Sequence, residues 1–245
     1  MERKVRWGIV STAAIAKDVM IPAIHRADYA EVVAIASESG RADQVAQELG
    51  ISKAYDSYEK LLDDRDVDAV YIPLPNSMHA EWTIKAAKRK KHVLCEKLAA
   101  LCEEDVRHMI EACEQNSVLF MEAFMYQFHP QHERVKQLLA AGEIGEIKYM
   151  RAHFSFDLRD RETNIRMNAE LGGGSLYDVG CYCVHSIRHV LDAEPVELFV
   201  QSRLDPGHSV DLTTNGWMKM KNGVRAQFTC SFEMFPQNEY EVVGT

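Results

Sequence analysis

From residue 5 to about residue 122, short and almost unbroken apolar runs alternate with segments of helical spacing. The runs are "VRWGIV", "EVVAIAS", "VDAVYIPL", "HVLCE" and "VLFMEAF". Between them, residues 14–27, 42–49 and 79–91 space their apolar side chains at three and four, and Val106, Met109, Ile110 and Cys113 mark one face of a further helix. A shorter pair, "KAYDS" then "YEKLLDD", follows the second helix. Strands that are apolar throughout are buried on both faces, which requires a parallel sheet covered on both sides by helices. Right-handed crossovers then wind it into a doubly wound α/β (Rossmann) domain, residues 1–122.

After residue 123 the texture changes. A helix at 131–141 precedes longer strands of period two: "EIKYMRAHFSFDL", "PVELFVQSRL", "LTTNGWMKMK", "VRAQFTCSFEM" and "YEVVGT". Asn222-Gly223 between two of them is a hairpin signal. With a helix at 175–191 interrupting the strands, residues 123–245 read as an α+β domain with an open, mostly antiparallel sheet. The strand-like "NEYEVVGT" predicts a sheet edge, and the lack of a closing element predicts an incomplete domain.

The net charge of −9 argues against sequence-independent nucleic-acid binding. No apolar stretch reaches the length of a membrane span, and "MERKVRWGIV" lacks a secretory h-region. Six cysteines, mostly within apolar patterns, read as reduced thiols. The expected compartment is cytoplasmic.

Ligands of a doubly wound sheet bind beyond the carboxyl ends of its strands. The first strand runs into "STAAIAKD", where Ser11, Thr12, Ala13, Ala14 and Ile15 open a helix. Small side chains let a pyrophosphate approach the backbone and the helix N-terminus, although the fingerprint glycines are absent. The second strand ends at Ser37 and Glu38, where a ribose is read. Glu38 would repel a 2′-phosphate, with Arg41 the local cation to offset it. The cofactor expected is therefore NAD or NADP, with NAD weakly preferred.

Four stretches, "YIPLPNSMHAEWTIKAAKRKKHVLCEK", "FMEAFMYQFHPQ", "GEIGEI" and "ELGGGSLYDVGCYCV", together resemble the glucose–fructose oxidoreductase / inositol dehydrogenase (Gfo/Idh/MocA) family over residues 5–245. The resemblance implies hydride transfer between a nicotinamide and a hydroxyl-bearing carbon of a sugar, polyol or related diol, by a homodimer or homotetramer. The family's Glu-Lys-Pro signature falls on Glu96, Lys97 and Leu98, and its Asp-x-Gly-x-His/Tyr motif on Asp178, Gly180 and Tyr182. Pro73, Leu74, Pro75, Asn76 and His79 fall where the nicotinamide side is lined. His185 stands at a position that is often aspartate.

Lys97 and Tyr182 are of the types that exchange a hydroxyl proton, with Asp178 orienting or balancing Lys97. Asn164 and Arg166, in the loop before the catalytic helix, are candidate substrate contacts. Each residue has a plainer reading: a solvated lysine, a helix-capping aspartate, a core tyrosine, a polar loop. The run Lys88–Lys91 reads as a solvated face. The pairs His185/His189 and His129/His132 have metal spacing without an accompanying carboxylate or cysteine set, so no metal is expected. Leu98 replaces a proline that, in relatives, often follows a cis peptide. A non-prolyl cis bond costs about 3 kcal/mol, so a trans bond and a redirected Lys97 are expected. A catalytically weak or inactive dinucleotide- or sugar-binding relative is the alternative.

Overall fold

Ala69–Ile72, "AVYI", has all four side chains buried, as a strand sandwiched between helix layers must. The computed structural model describes residues 3–245, in a first unit ending at Ala123 and a second running from Phe124 to Thr245.

The first unit is built on six parallel strands, β1 (Val5–Val10), β2 (Ala30–Ala36), β3 (Lys53–Tyr55), β4 (Ala69–Ile72), β5 (His92–Cys95) and β6 (Phe120–Glu122). Their order is β3-β2-β1-β4-β5-β6. The sheet reverses direction of winding between β1 and β4, which pair with Trp7 opposite Ala69. This is the switch point at which such sheets open a crevice for ligands. The connecting helices are α1 (Ile21–His25), α2 (Ala42–Leu49), α3 (Tyr58–Asp63), α4 (His79–Lys88) and α5 (Glu103–Gln115). A π-helical turn, Ala16–Met20, precedes α1. Two apolar layers flank the sheet, one around Leu61, Leu62, Trp82 and Met109, the other around Ile9, Ile21, Ile35 and Tyr71.

The reading of 88–91 as a solvated face holds at Lys88 and Lys90, which are exposed, and is corrected at Lys91. Helix α4 stops at Lys88, and Lys91 is buried. Its ammonium donates to the carbonyls of Asp64 (2.6 Å) and Val67 (2.8 Å). A lysine can be buried where its donors find such partners, and these two oxygens lie on the turn leading into β4.

The second unit holds α6 (Pro130–Ala140), β7 (Tyr149–Asp157), α7 (Cys181–Leu191), β8 (Pro195–Leu204), β9 (Asp211–Met220), β10 (Arg225–Ser231) and β11 (Glu233–Val243). The sheet order is β11-β7-β10-β9-β8. All pairings are antiparallel except β7 with β10, which run parallel with Tyr149 opposite Arg225. Gly223, at φ +87°, turns the β9–β10 hairpin as Asn222-Gly223 predicts. One correction concerns "VRAQFTCSFEM", which is two strands rather than one. Phe232 is fully buried and donates its N–H to Leu212, and β11 begins immediately after it, at Glu233. Strand β11 is an outer strand, as expected for "NEYEVVGT".

Helix α7 packs one face of this sheet through Cys183, Ile187, Val190 and Leu191 onto Met150, Met218, Ala226 and Phe228. Among the described residues no helix is long and apolar enough to cross a membrane.

Candidate active site

The exit of β1 carries the first group of candidates. Ser11 has φ +138°, a conformation in which an L side chain is rare and glycine is at ease. The turn thus has the backbone of a glycine-bearing fingerprint without the glycine. Ser11 Oγ accepts from Ala13 N–H at 3.1 Å, and Ala14 and Ile15 are exposed at the start of the helical segment. Thr12 is buried, its hydroxyl 3.3 Å from that of Ser37. From Ser37 a chain of contacts runs to Ser39 Oγ (2.8 Å), which accepts from Arg41 Nε (2.9 Å). Glu38 and Arg41 are both exposed. An open turn, a helix start and a polar β2 exit at the switch point are features that could hold a dinucleotide.

Tyr58 belongs with this group although its sequence gave no sign of it. Its phenol lies near Glu38 and Ser11, and burial pushes its pKa up. Its ring meets Trp82 edge-on at 4.9 Å.

Beyond β4, Pro73 and Leu74 are buried while Pro75 and Asn76 are partly exposed. His79 is fully buried. It therefore acts on this region through the backbone it holds: its Nδ1 lies 2.7 Å from the Leu98 carbonyl and its Nε2 2.8 Å from the Leu74 carbonyl.

The exit of β5 answers why an apolar strand delivers charge. Glu96 Oε1 accepts from the Tyr71 hydroxyl at 2.5 Å, and Oε2 accepts from Lys97 N–H at 3.3 Å. Lys97 is half-buried. The expectation of a trans bond after it is corrected: the Lys97–Leu98 peptide is cis. The next peptide is held at both its polar groups by tertiary hydrogen bonds, Leu98 O by His79 and Ala99 N–H by Glu122 Oε1 at 2.7 Å. Glu122 is itself pushed up by burial.

In the second unit the "GGGS" segment launches the other candidates. Gly174 has φ +111°, and a Cβ on it would lie 2.2 Å from Asp211 Oδ1. The space is needed because Asp211 Oδ2 accepts from Ser175 Oγ (2.6 Å), Leu176 N–H (2.8 Å) and Thr214 Oγ1 (2.7 Å). Asp211, rather than Asp178, thus caps the helical segment. Its first turn, Leu176–Gly180, is π-helical and contains Asp178. Asp178 Oδ2 accepts from Arg166 Nε at 2.6 Å. Asn164 Oδ1 accepts from Arg166 N–H at 3.1 Å, so Asn164 shapes the turn that presents the arginine.

Tyr182 sits in an aromatic enclosure, its ring centroid 5.3 Å from Phe124, 5.8 Å from Tyr126 and 5.4 Å from Phe154. Its hydroxyl approaches Met125 Sδ at 3.8 Å. His185 stacks on Phe124 at 4.4 Å, and its Nδ1 lies 2.6 Å from the Tyr126 hydroxyl. Burial pushes His185 down to about 4, so it is neutral near pH 7. A cavity of about 540 Å³ opens beside Tyr182, lined also by Gln131, His153 and Tyr240. His185 also stacks on His189 at 5.6 Å, and among the described residues no group of three His, Cys, Asp or Glu side chains could hold a metal ion.

A switch-point crevice with a glycine-type turn defines a dinucleotide-binding protein, and the second sheet gives it the two-unit plan of a sugar oxidoreductase family. Residues 5–124 match the model "Oxidoreductase family, NAD-binding Rossmann fold", and residues 132–245 match "GFO/IDH/MocA C-terminal domain". The chain belongs to the GFO/IDH/MocA oxidoreductase family. It is 41% identical over 240 residues to D-xylose 1-dehydrogenase (NADP(+)) 2 of Haloferax volcanii, covering 98% of this chain and 73% of that protein. It is 32% identical over 243 residues to trans-1,2-dihydrobenzene-1,2-diol dehydrogenase of Mus musculus, covering 98% and 72%. The crystal structure of KijD10, a 3-ketoreductase from Actinomadura kijaniata in complex with NADP and TDP-benzene, superposes with a TM-score of 0.93 at 34% identity, covering 99% of this chain and 74% of that one.

Proposed function

We propose that this protein is an NAD(P)-dependent dehydrogenase or reductase acting on a CH–OH or keto carbon of a sugar, polyol or diol. The observation that carries the reading is the β1 turn, where Ser11 adopts a glycine-type backbone at the switch point of a 3-2-1-4-5-6 sheet. A nicotinamide bound there supplies the hydride acceptor or donor. Lys97 and Tyr182 are the groups we assign to the substrate oxygen. Tyr182 exchanges its proton, and Lys97, when cationic, stabilises the oxygen as it gains negative charge. Asp178 fixes Arg166 beside the helix that carries Tyr182. The aromatic walls around Tyr182 suit the apolar face of a sugar or diol ring and restrict water.

The cofactor side favours NAD, because the exposed Glu38 carboxylate opposes a 2′-phosphate by about 1–2 kcal/mol. Arg41, which reaches Ser39, is the offsetting charge. Assembly as a homodimer or homotetramer in the cytoplasm completes the reading. It is supported by the exposed apolar side chains Leu198, Phe199, Val200 and Trp217 on β8 and β9.

The test is reduction of NAD and NADP by purified protein offered aldoses, inositols and trans-diols, with dinucleotide titration alongside. Absorbance growth at 340 nm with one of these substrate classes is expected. No turnover in either direction and no dinucleotide binding would overturn the proposal, and NADP binding tenfold tighter than NAD would overturn the preference.

A further inference from the structure

His79 has no exposed surface, and both its ring nitrogens face main-chain carbonyl oxygens, Leu98 O at 2.7 Å and Leu74 O at 2.8 Å. A carbonyl oxygen only accepts. A neutral imidazole carries one N–H, so its other nitrogen would point a lone pair at an oxygen lone pair at hydrogen-bonding distance. Both contacts are attractive only when both nitrogens carry hydrogen.

We propose that His79 is a buried imidazolium that clamps the Leu98 carbonyl to the β4 exit and so positions Lys97, one residue earlier. The charged groups acting on it are Glu96, which favours the charged ring, and Lys97, which opposes it. The β4 exit, residues 73–76, contributes no charge. Burial is the largest influence and lowers the ring's pKa on balance, while the two carbonyls push the other way. Against that lowering stands the geometry, since loss of either proton leaves one short contact between two acceptors.

The clamp also gives "PNSMHAEW" a purpose that a surface histidine would not serve. His79 opens α4, whose backbone is anchored under the sheet by Trp82, Thr83 and Ala86, all buried. One rigid helix start thus fixes both loops at once, the segment after β4 and the segment after β5. His79 is a positioning residue: it touches neither substrate nor cofactor.

The positioning role rests on the assignment of Lys97 to the reacting oxygen; the protonation state does not. The full chain labelled with ¹⁵N-histidine is therefore compared with His79→Gln between pH 6.5 and 8.5. Of ten histidines, one is expected to keep ¹⁵N–¹H couplings on both ring nitrogens at pH 8, and that signal is expected to vanish in His79→Gln. A bare nitrogen on the His79 ring at pH 7 would overturn the clamp.

In parallel, D-xylose turnover with NADP is measured for wild type, His79→Gln and His79→Asn, with thermal melts as a control for folding. A folded His79→Gln that loses tenfold or more in kcat, with KM for NADP changed less than threefold, supports positioning. A folded variant with unchanged kcat overturns it. If wild type itself turns over neither xylose nor the other substrate classes, the functional reading fails while the ¹⁵N result stands.

Discussion

Asp211 and Leu176, thirty-five residues apart, are joined by a hydrogen bond of 2.8 Å from the Leu176 N–H to the carboxylate. The same oxygen accepts from Ser175 and Thr214. A strand residue therefore caps the helical segment that carries Asp178 and Tyr182. Asp211→Ala should leave three donors without this acceptor and cost about 2–3 kcal/mol. Urea unfolding of the variant should show a lower midpoint with an unchanged slope. A midpoint within error of wild type would remove Asp211 from this role.

The β1 turn gives a second expectation. Ser11 holds a backbone conformation that costs an ordinary residue about 1–3 kcal/mol. Ser11→Gly should retain or raise thermal stability, whereas Ser11→Val should lose about 2 kcal/mol, because a branched side chain is stiffer. Equal melting temperatures for the two variants would contradict a glycine-type turn.

Lys97→Ala should lower kcat by at least a hundredfold while leaving dinucleotide affinity within a few-fold, because its assigned role is confined to the reacting oxygen. Tyr182→Phe keeps the ring contacts with Phe124 and Phe154 and should lose rate without losing stability. If both variants keep more than about a tenth of wild-type kcat, the chemistry lies elsewhere.

Acid should weaken the edge of β1 between about pH 4 and pH 2. Hydrogen bonds from Arg6 hold Asp68 down to about 2, below its ordinary carboxylate value. A depressed folded-state pKa stabilises the fold above the unfolded value near 4, and that stability is lost as pH falls from about 4 through 2. The contribution is about 1–2 kcal/mol at neutral pH after allowance for partial exposure. Stability measured from pH 5 to 2 should fall less steeply in Asp68→Asn than in wild type. Parallel curves would assign the acid loss to other carboxylates.

The architecture was legible because periodicity reports burial directly. Strands such as "AVYI" cannot be solvated on either face, and "NG" at 222–223 dictates a tight turn. The candidate site was legible only as residue types in order. What the sequence did not disclose are the partners brought from afar. Tyr71 lies in the apolar run "VDAVYIPL", and nothing local to it names Glu96 as the acceptor its buried hydroxyl needs. Lys91 looked solvated because local pattern shows the end of a helix but not the carbonyls of Asp64 and Val67 beside it. Leu98 was misjudged for the same reason, since propensity counts the local peptide and not the His79 and Glu122 contacts around it.

The one parallel pairing of the second sheet has a kinetic consequence. Strands β7 and β10 lie side by side with Tyr149 opposite Arg225, and α7 lies within the stretch of chain between them. Hairpins β8–β9 and β9–β10 close over short loops and can form early, whereas joining β7 to β10 must first overcome the entropy of a long loop. The helix that bears Tyr182 gains its full docking surface only when that closure occurs, because Met150 belongs to β7 and Phe228 to β10. Seating of Tyr182 is therefore tied to that long closure, and intermediates with only the hairpins formed would still lack a docked α7.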